Sequence, residues 1–331
     1  MITLVDNHGR PINYLRLAVT DRCNLRCFYC MPEDGIRYLP KKDLLTFEEI
    51  TRLITIMASM GVTKVRLTGG EPFVRNDLMK LIRNIVEIQG IRDVHLTTNG
   101  ILTAKHIPEL KKLGIASVNL SLDTLDRQRF HDITRRDEFE PVMETLRLLI
   151  DHDIPVKINA VVMEGKNIDD IIPLIELTRA DNVDVRFIEE MPFNGEGNHY
   201  PSLLWTYRKI LDYIKEFYPS LHKIPDPQYS TSYNYRIPGY RGSIGVIAAF
   251  SRTFCGTCNR VRVTAQGTLK TCLYDDGALD LRQLLRASKD DSVIVENLTS
   301  ALNSRSRDGF EAEAKRKNHT PVSESMSTIG G

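Results

Sequence analysis

The stretch DRCNLRCFYCMP, residues 21–32, places Cys23, Cys27 and Cys30 in a C-x3-C-x2-C run. Three thiolates this close can converge on one metal centre, but they leave its shell open. A cubane iron–sulfur cluster has four irons, and electron-transfer clusters give each iron a cysteine, so here one iron lacks a protein ligand. An open coordination position marks a metal site that binds and transforms something. The spacing differs from the C-x2-C-x2-C-x3-C-P run of ferredoxins, and no fourth cysteine lies nearby. The competing readings are a disulfide, which needs an oxidising compartment, and a zinc site, which takes four ligands.

Around this run, short β-branched segments alternate with amphipathic ones. Strands are expected at 15–20, 65–68, 94–98, 117–122, 156–162 and 185–188, and helices at 46–60, 77–88, 104–113, 141–151 and 168–179. In the helix at 46–60, Thr46 and Glu49 are spaced as a capping box, and Phe47, Ile50, Leu53, Ile54 and Met57 share one face. Such alternation predicts a parallel sheet, either an open doubly wound sheet or a barrel. The residues by themselves leave both open. The unusual residues gather at expected strand C-terminal ends: the cysteine run, Gly69-Gly70-Glu71-Pro72, Thr97-Thr98-Asn99-Gly100, Ser121-Leu122-Asp123 and Glu189-Glu190-Met191. Parallel α/β folds carry functional groups at that end.

From Pro192 the pattern changes. A helix is expected at 201–218, then a loop-rich passage to Gly242, strands at 244–250 and 261–264, and helices at 279–285 and 293–302. The tail is polar and ends Ile329-Gly330-Gly331. The expected division is a barrel-like unit over 1–230 and a smaller auxiliary region over 231–331.

The chain has 331 residues with 44 basic and 43 acidic side chains, so no long-range field points to nucleic acid or an anionic membrane. The N-terminus MITLVDNHGR has no apolar signal-like region, and no apolar run reaches the ~18 residues of a membrane span. A cytoplasmic setting is expected, where thiols stay reduced. All six cysteines fall into two triads, the second being Cys255, Cys258 and Cys272. That triad again offers three ligands, and its chemistry alone leaves zinc and iron–sulfur open. Arg260 and Arg262 follow it, two apart on an expected strand and so on one face. Two guanidiniums beside a metal site suit a polyphosphate, against the plainer reading of a solvated strand face.

The run at 21–32 resembles the motif of the radical S-adenosylmethionine (SAM) enzymes. The resemblance implies a partial (βα)6 barrel and a [4Fe–4S] cluster on Cys23, Cys27 and Cys30. SAM would chelate the open iron and be cleaved to a 5′-deoxyadenosyl radical. It places Tyr29 beside the adenine, Gly70 and Glu71 of the GGEP turn at the SAM amino group, and Ser121 and Met191 along the SAM pocket. The match extends through TGGEP, TTNG, SLD, CGTCNRVRVT, Cys272 and the terminal Gly-Gly. These together resemble the branch of the family that cyclises GTP for molybdenum cofactor biosynthesis.

That branch implies a second [4Fe–4S] cluster on Cys255, Cys258 and Cys272 that binds guanine. It implies GTP contacts at Arg16, Arg66, Thr97, Lys157, Arg260, Val261 and Arg262, and a tail whose Gly330 and Gly331 assist the radical step. The expected partners are GTP, an electron-donor protein and a downstream cyclic pyranopterin monophosphate synthase, with neither nucleic acid nor membrane, for a monomer or homodimer. Residues 304–324 match no motif of the branch. The alternatives are a two-cluster radical SAM enzyme on a peptide or porphyrin, and a non-catalytic zinc or iron–sulfur scaffold or sensor.

Overall fold

β-Branched runs form the spine of the fold. The computed structural model describes residues 4–193, 203–316 and 324–330. The first six strands are β1 (Tyr14–Ala18), β2 (Lys64–Thr68), β3 (Asp93–Thr98), β4 (Ser117–Ser121), β5 (Val156–Val162) and β6 (Val183–Glu189). After them come β7 (His222–Lys223), β8 (Tyr233–Arg236), β9 (Ser243–Ile247), β10 (Arg260–Val263), β11 (Thr268–Lys270) and β12 (Leu279–Asp280). All twelve belong to one sheet in the order β12-β11-β10-β1-β2-β3-β4-β5-β6-β9-β8-β7.

Strands β1 to β6 pair in parallel and in sequence, as expected of six strand–helix units. The expectation stopped there, but the sheet continues. β10 joins parallel to β1, and β9 joins parallel to β6. Antiparallel strands then finish both sides. The sheet therefore runs unbroken past residue 230. Side chains from β1, β2, β3, β4, β5, β6, β9 and β10 line one common cavity, so the sheet is strongly curved. It is not closed, since among the described residues β7 and β12 do not pair.

The two faces of the sheet differ in chemistry. Leu15, Leu17, Val65, Leu67, Leu96, Val118, Leu120, Ile158 and Val185 point to the helix side and are fully buried. Each such side chain contributes roughly 1.5–3 kcal/mol when removed from water. The helix layer over them holds α1 (Phe47–Ser59), α2 (Leu78–Val86), α3 (Ile107–Lys112), α4 (Arg127–Thr134), α5 (Phe139–Asp151) and α6 (Ile171–Ala180). In α1 the capping box forms: the Thr46 hydroxyl accepts from Glu49 N at 3.2 Å, and Glu49 Oε2 accepts from Thr46 N at 2.8 Å. Helix α4 was not expected; its sequence RQRFHDIT offers only Phe130 and Ile133 as buried apolar side chains, and Asp126 caps it.

Helix α7 (Tyr207–Phe217) starts later than expected because Thr206 caps it, accepting from Lys209 N. Leu203 and Leu204 precede it, and the expected start at Pro201 and Ser202 lies outside the described residues. Then follow α8 (Leu281–Ala287) and α9 (Asp291–Asn303), with α10 (Gly309–Ala314) and α11 (Met326–Ile329) in the polar tail. Among the described residues no helix is long and apolar enough to cross a membrane.

Candidate functional site

The loop after β1 carries the first triad, and it is clamped to the turn after β2. Gly70 N donates to Thr20 O at 2.9 Å, and Glu71 N donates to Arg22 O at 2.8 Å. A Cβ on Gly70 would lie 2.3 Å from Arg22 O, and one on Gly69 would lie 2.4 Å from Thr20 O. The glycines are therefore required by the close approach of the cysteine loop itself. Glu71 is buried and accepts from Phe73 N, the Thr98 hydroxyl and Asn99 N at 3.1, 2.9 and 2.7 Å. Burial raises its carboxyl to about 7 against the pull of those donors.

Cys23, Cys27 and Cys30 line a cavity of about 130 Å³ together with Tyr29, Gly70, Thr97, Ser121 and Asp123. The Tyr29 hydroxyl donates to Asp123 Oδ2 at 2.8 Å. Burial pushes the Cys23 and Cys30 thiols up to about 12 and about 11, and the Cys27 thiol up as well. Binding a metal group at such thiols releases protons.

A larger cavity of about 380 Å³ fills the curved sheet. Its floor is built by strand register: Arg262, Arg16, Arg66, His95 and Ser117 lie side by side across β10, β1, β2, β3 and β4. Asn119, Lys157 and Asp184 form the next row across β4, β5 and β6. Lys64 and Arg186 line the same space. Burial and the surrounding cations lower Arg186 and Arg262 to about 10 and hold the His95 imidazole down at about 2, so His95 is neutral. His95 Nδ1 shares a 2.7 Å hydrogen bond with the Ser117 hydroxyl. His95 Nε2, Asn119 Oδ1, Asn159 Oδ1 and Arg260 Nε are buried with no hydrogen-bond partner among the described residues. Lys157 is ion-paired to Asp184 at 2.5 Å. Cationic, polar and partly unsatisfied, this interior is arranged to receive a polar anion.

Cys255, Cys258 and Cys272 border the same cavity. Residues 248–259, which carry Cys255 and Cys258, connect β9 to β10 and so link opposite ends of the eight-strand parallel run. Among the described residues no three His, Cys, Asp or Glu groups close around a single ion. Three thiols bordering one cavity are a donor set that either zinc or an iron–sulfur cluster could use.

The tail reaches both cavities. Met326 lines both, and Ser327 lines the smaller. The Ser325 hydroxyl donates to Cys30 O at 2.7 Å, and Arg262 Nη1 donates to Gly330 O at 2.6 Å. Buried Lys270 pairs with Glu324. Gly330 has a φ of 78°, which glycine adopts without strain, and Gly331 lies outside the described residues.

Most residues singled out in the sequence meet here. Tyr29, Gly70, Ser121 and Thr97 line the smaller cavity; Arg16, Arg66, Lys157, Arg260, Arg262 and Met191 line the larger. Thr97 thus sits on the first triad's side and Met191 on the second's. Two of them face elsewhere: the Glu71 carboxylate is tied into the loop after β3, and the Val261 side chain belongs to the hydrophobic core. The residues not anticipated are Tyr14, Lys64, His95, Asn119, Asn159 and Arg186. Period-two alternation from Arg16, Arg66, Thr97, Ser121 and Lys157 would have found all but Arg186.

A curved, open sheet, parallel through its eight central strands and carrying a three-cysteine loop after β1, is a partial barrel of the radical SAM class. Residues 17–178 match the family described as the Radical SAM superfamily, and residues 183–310 match the one described as Molybdenum Cofactor Synthesis C. The crystal structure of Streptococcus suis SuiB bound to S-adenosylmethionine shares the fold, with a TM-score of 0.60 at 15% identity over 90% of this chain and 69% of that one. The chain is 42% identical over 305 residues to molybdenum cofactor biosynthesis protein 1 of Bos taurus, covering 92% of this chain and 48% of that protein. It therefore spans about half the length of that relative. It is also 42% identical over 296 residues to GTP 3′,8-cyclase of Peptoclostridium acidaminophilum, covering 88% of this chain and 90% of that protein. This chain belongs to the GTP 3′,8-cyclase family.

Proposed function

We propose that this protein is a lyase that converts GTP to (8S)-3′,8-cyclo-7,8-dihydroguanosine 5′-triphosphate in molybdenum cofactor biosynthesis. The observation that carries the reading is the barrel interior, where cations on neighbouring strands and unpartnered polar atoms lie beside the second thiol triad. A triphosphate supplies the negative charge this lining lacks, and a purine and ribose offer hydrogen-bonding edges to groups such as Asn119 and Asn159.

In this reading Cys23, Cys27 and Cys30 would hold a [4Fe–4S] cluster, with Tyr29, Gly70 and Ser121 bordering SAM in the smaller cavity and Met191 reaching it from the larger one. Glu71 acts through the loops it fixes. Cys255, Cys258 and Cys272 would hold a second [4Fe–4S] cluster, and three cysteines leave it one position with which it could bind the nucleobase. When bound, SAM and its cluster would supply one-electron chemistry able to take the ribose 3′-hydrogen so that C3′ could join purine C8, with one further electron and a proton needed to complete the product.

The chain's own part is binding and orientation. Arg16, Lys64, Arg66, Lys157, Arg186, Arg260 and Arg262 receive the phosphates, with Thr97 and the Val261 backbone at the margin. His95, neutral and braced by Ser117, offers Nε2 without adding charge. The Gly330 carbonyl accepts from Arg262 of the cationic floor, and in this reading Gly330 and Gly331 assist the radical step. An electron-donor protein supplies the reducing equivalents, and a cyclic pyranopterin monophosphate synthase consumes the product.

The test is anaerobic incubation of iron–sulfur-reconstituted protein with SAM, a reductant and each nucleoside triphosphate in turn. The expected result is 5′-deoxyadenosine with a cyclised product from GTP alone. Turnover of no nucleotide, with SAM cleavage intact, would move the substrate elsewhere; no SAM cleavage would leave a scaffold.

A further inference from the structure

Arg305 lies in the stretch that matches no motif, yet it is one of the best-anchored side chains near the second triad. It is 4% exposed. A guanidinium has five N–H donors, and each has an acceptor here. Nε donates to Thr271 O at 2.9 Å. Nη1 donates to Asp6 Oδ2 at 3.1 Å and to Cys258 O at 3.0 Å. Nη2 donates to Arg260 O at 3.0 Å and to Cys258 Sγ at 3.2 Å.

Asp6 extends the network. Its Oδ2 also accepts from Arg10 Nε at 2.7 Å, and Arg10 Nη1 donates to Cys255 O at 3.0 Å. One buried carboxylate therefore couples two guanidiniums that grip the main chain at Cys255, at Cys258 and at Thr271, the residue before Cys272. The segment is itself tied down, because Asn7 Nδ2 and His8 Nε2 hydrogen-bond Arg305 O at 3.1 and 2.9 Å. A device meant only to satisfy stray carbonyls has no need of a donor on the sulfur.

We propose that Arg305 is the positioning residue of the second triad: it sets the spacing of the three ligand-bearing backbones and places an N–H on the Cys258 sulfur, fixing both the retention and the reduction potential of the cluster bound there. The proposal rests on the reading of that triad as an iron–sulfur site. Its physical basis is that reduction adds negative charge to a cluster. Hydrogen bonds to its sulfurs, and a permanent cation beside them, favour the reduced form and raise the potential. Arginine is suited to this because it stays charged and its planar fork spans several fixed acceptors at once. A lysine keeps the charge but cannot span Thr271, Asp6 and Cys258 together.

The test uses the full chain carrying Cys23→Ala, Cys27→Ala and Cys30→Ala, so that only the second triad can take a cluster. The parent, reconstituted anaerobically, is expected to bind about four irons. Arg305→Gln is expected to load iron but to be reduced at least tenfold less readily at a given potential, a midpoint lower by ~59 mV for one electron. It should also lose iron to a chelator at least tenfold faster. Arg305→Lys should fall between the two. Circular dichroism checks the fold, and a folded Arg305→Gln that fails to load iron supports the retention half of the proposal. If Arg305→Gln does not fold, Arg305→Lys decides on the same readings. A midpoint and chelator lifetime equal to the parent's, in whichever variant decides, overturns the proposal. A parent that takes up zinc or no iron sinks the second-cluster reading and the proposal with it, and is recognised without any Arg305 variant.

Discussion

Polyphosphate binding should weaken as pH rises through neutrality, and one phenol should be responsible. Tyr14 lies at the cavity floor, where Arg66 Nε donates to its oxygen at 2.8 Å. Lys64 Nζ is 4.9 Å from its ring centroid, and the Arg260 guanidinium carbon is 5.8 Å away. Burial pushes the phenol up, but Arg66, Arg16, Arg260 and Lys64 outweigh it and bring the group from its ordinary 10.0 down to about 7. Below that value the phenol is neutral and the cations present their full charge. Above it a phenolate cancels one of them and repels phosphate, so binding must take up a proton. One-proton linkage then weakens affinity by about twofold at the midpoint and about tenfold one unit above it. His95, held at about 2, stays neutral across this window. The terminal phosphate of GTP also titrates near neutrality and acts in the opposite direction, equally with or without the phenol. The ratio of Tyr14→Phe to unsubstituted affinity is therefore the reading, taken by anaerobic calorimetry one unit either side of pH 7. Buffers of different ionisation enthalpy count the proton. If Tyr14→Phe shows the same slope and the same proton uptake, the argument fails.

Three further outcomes follow from the site. Cys27→Ala removes a first-triad thiol and is expected to abolish 5′-deoxyadenosine formation while the second site still loads iron; a normal rate of SAM cleavage would refute the assignment. Arg260→Ala removes a charge-assisted contact worth roughly 1.5–3 kcal/mol, so GTP use should fall roughly ten- to a hundredfold. Guanosine, without phosphates, should be almost insensitive, and equal loss with both would mark Arg260 as structural. In Gly330→Ala the new Cβ would lie 3.1 Å from Thr68 Cγ2 and 3.2 Å from Ala18 Cβ, on a backbone at φ +78°. That change should undock the tail and cut cyclised product, with melting temperature and iron content unchanged; full product yield would remove the tail from the mechanism.

The barrel was legible because its signals are local. Each of the first six strands is a short, largely apolar run, most of them carrying β-branched residues, and the capping box at Thr46 and Glu49 reads directly from the residues. Thiol spacing marked both triads for the same reason. The flanking strands were harder. Residues 244–250 and 261–264 read as strands, but nothing in them says that β9 and β10 extend the sheet in parallel at opposite ends, since pairing is a long-range property. The inward faces were half legible. Arg16 and Lys157 stand out as charges in apolar strands, whereas Asn119 and Asn159 are informative only once the inward side of the strand is known. Glu71 and Gly70 show a different limit. Sequence can say that a carboxylate and a glycine are needed there, but whether the neighbour is a ligand or the chain's own Arg22 is a matter of three-dimensional distance. Arg305 carried no signal at all, because an isolated arginine in a polar stretch reads as solvated.

The placement of β9 and β10 explains why the C-terminal region is more than an appendage. The six-unit sheet has two edges, and an uncovered edge exposes unpaired main-chain groups. Both are occupied by strands from one short passage, so the link between them, residues 248–259, must connect the two ends of the curved parallel run. That link carries Cys255 and Cys258, and β10 carries Arg260 and Arg262. The second thiol site is thereby fixed to the barrel's own register: Arg262 pairs with Arg16, which pairs with Arg66. Arg262 in turn grips Gly330, while Ser325 of the same tail grips the main chain at Cys30. A shift of β10 relative to β1 would therefore move the second triad, the cationic floor and the tail together, and through the tail would press on the first triad. The proposed radical reaction would need its reacting atoms held at a fixed separation, and one continuous sheet carrying the elements beside both thiol triads supplies such a frame.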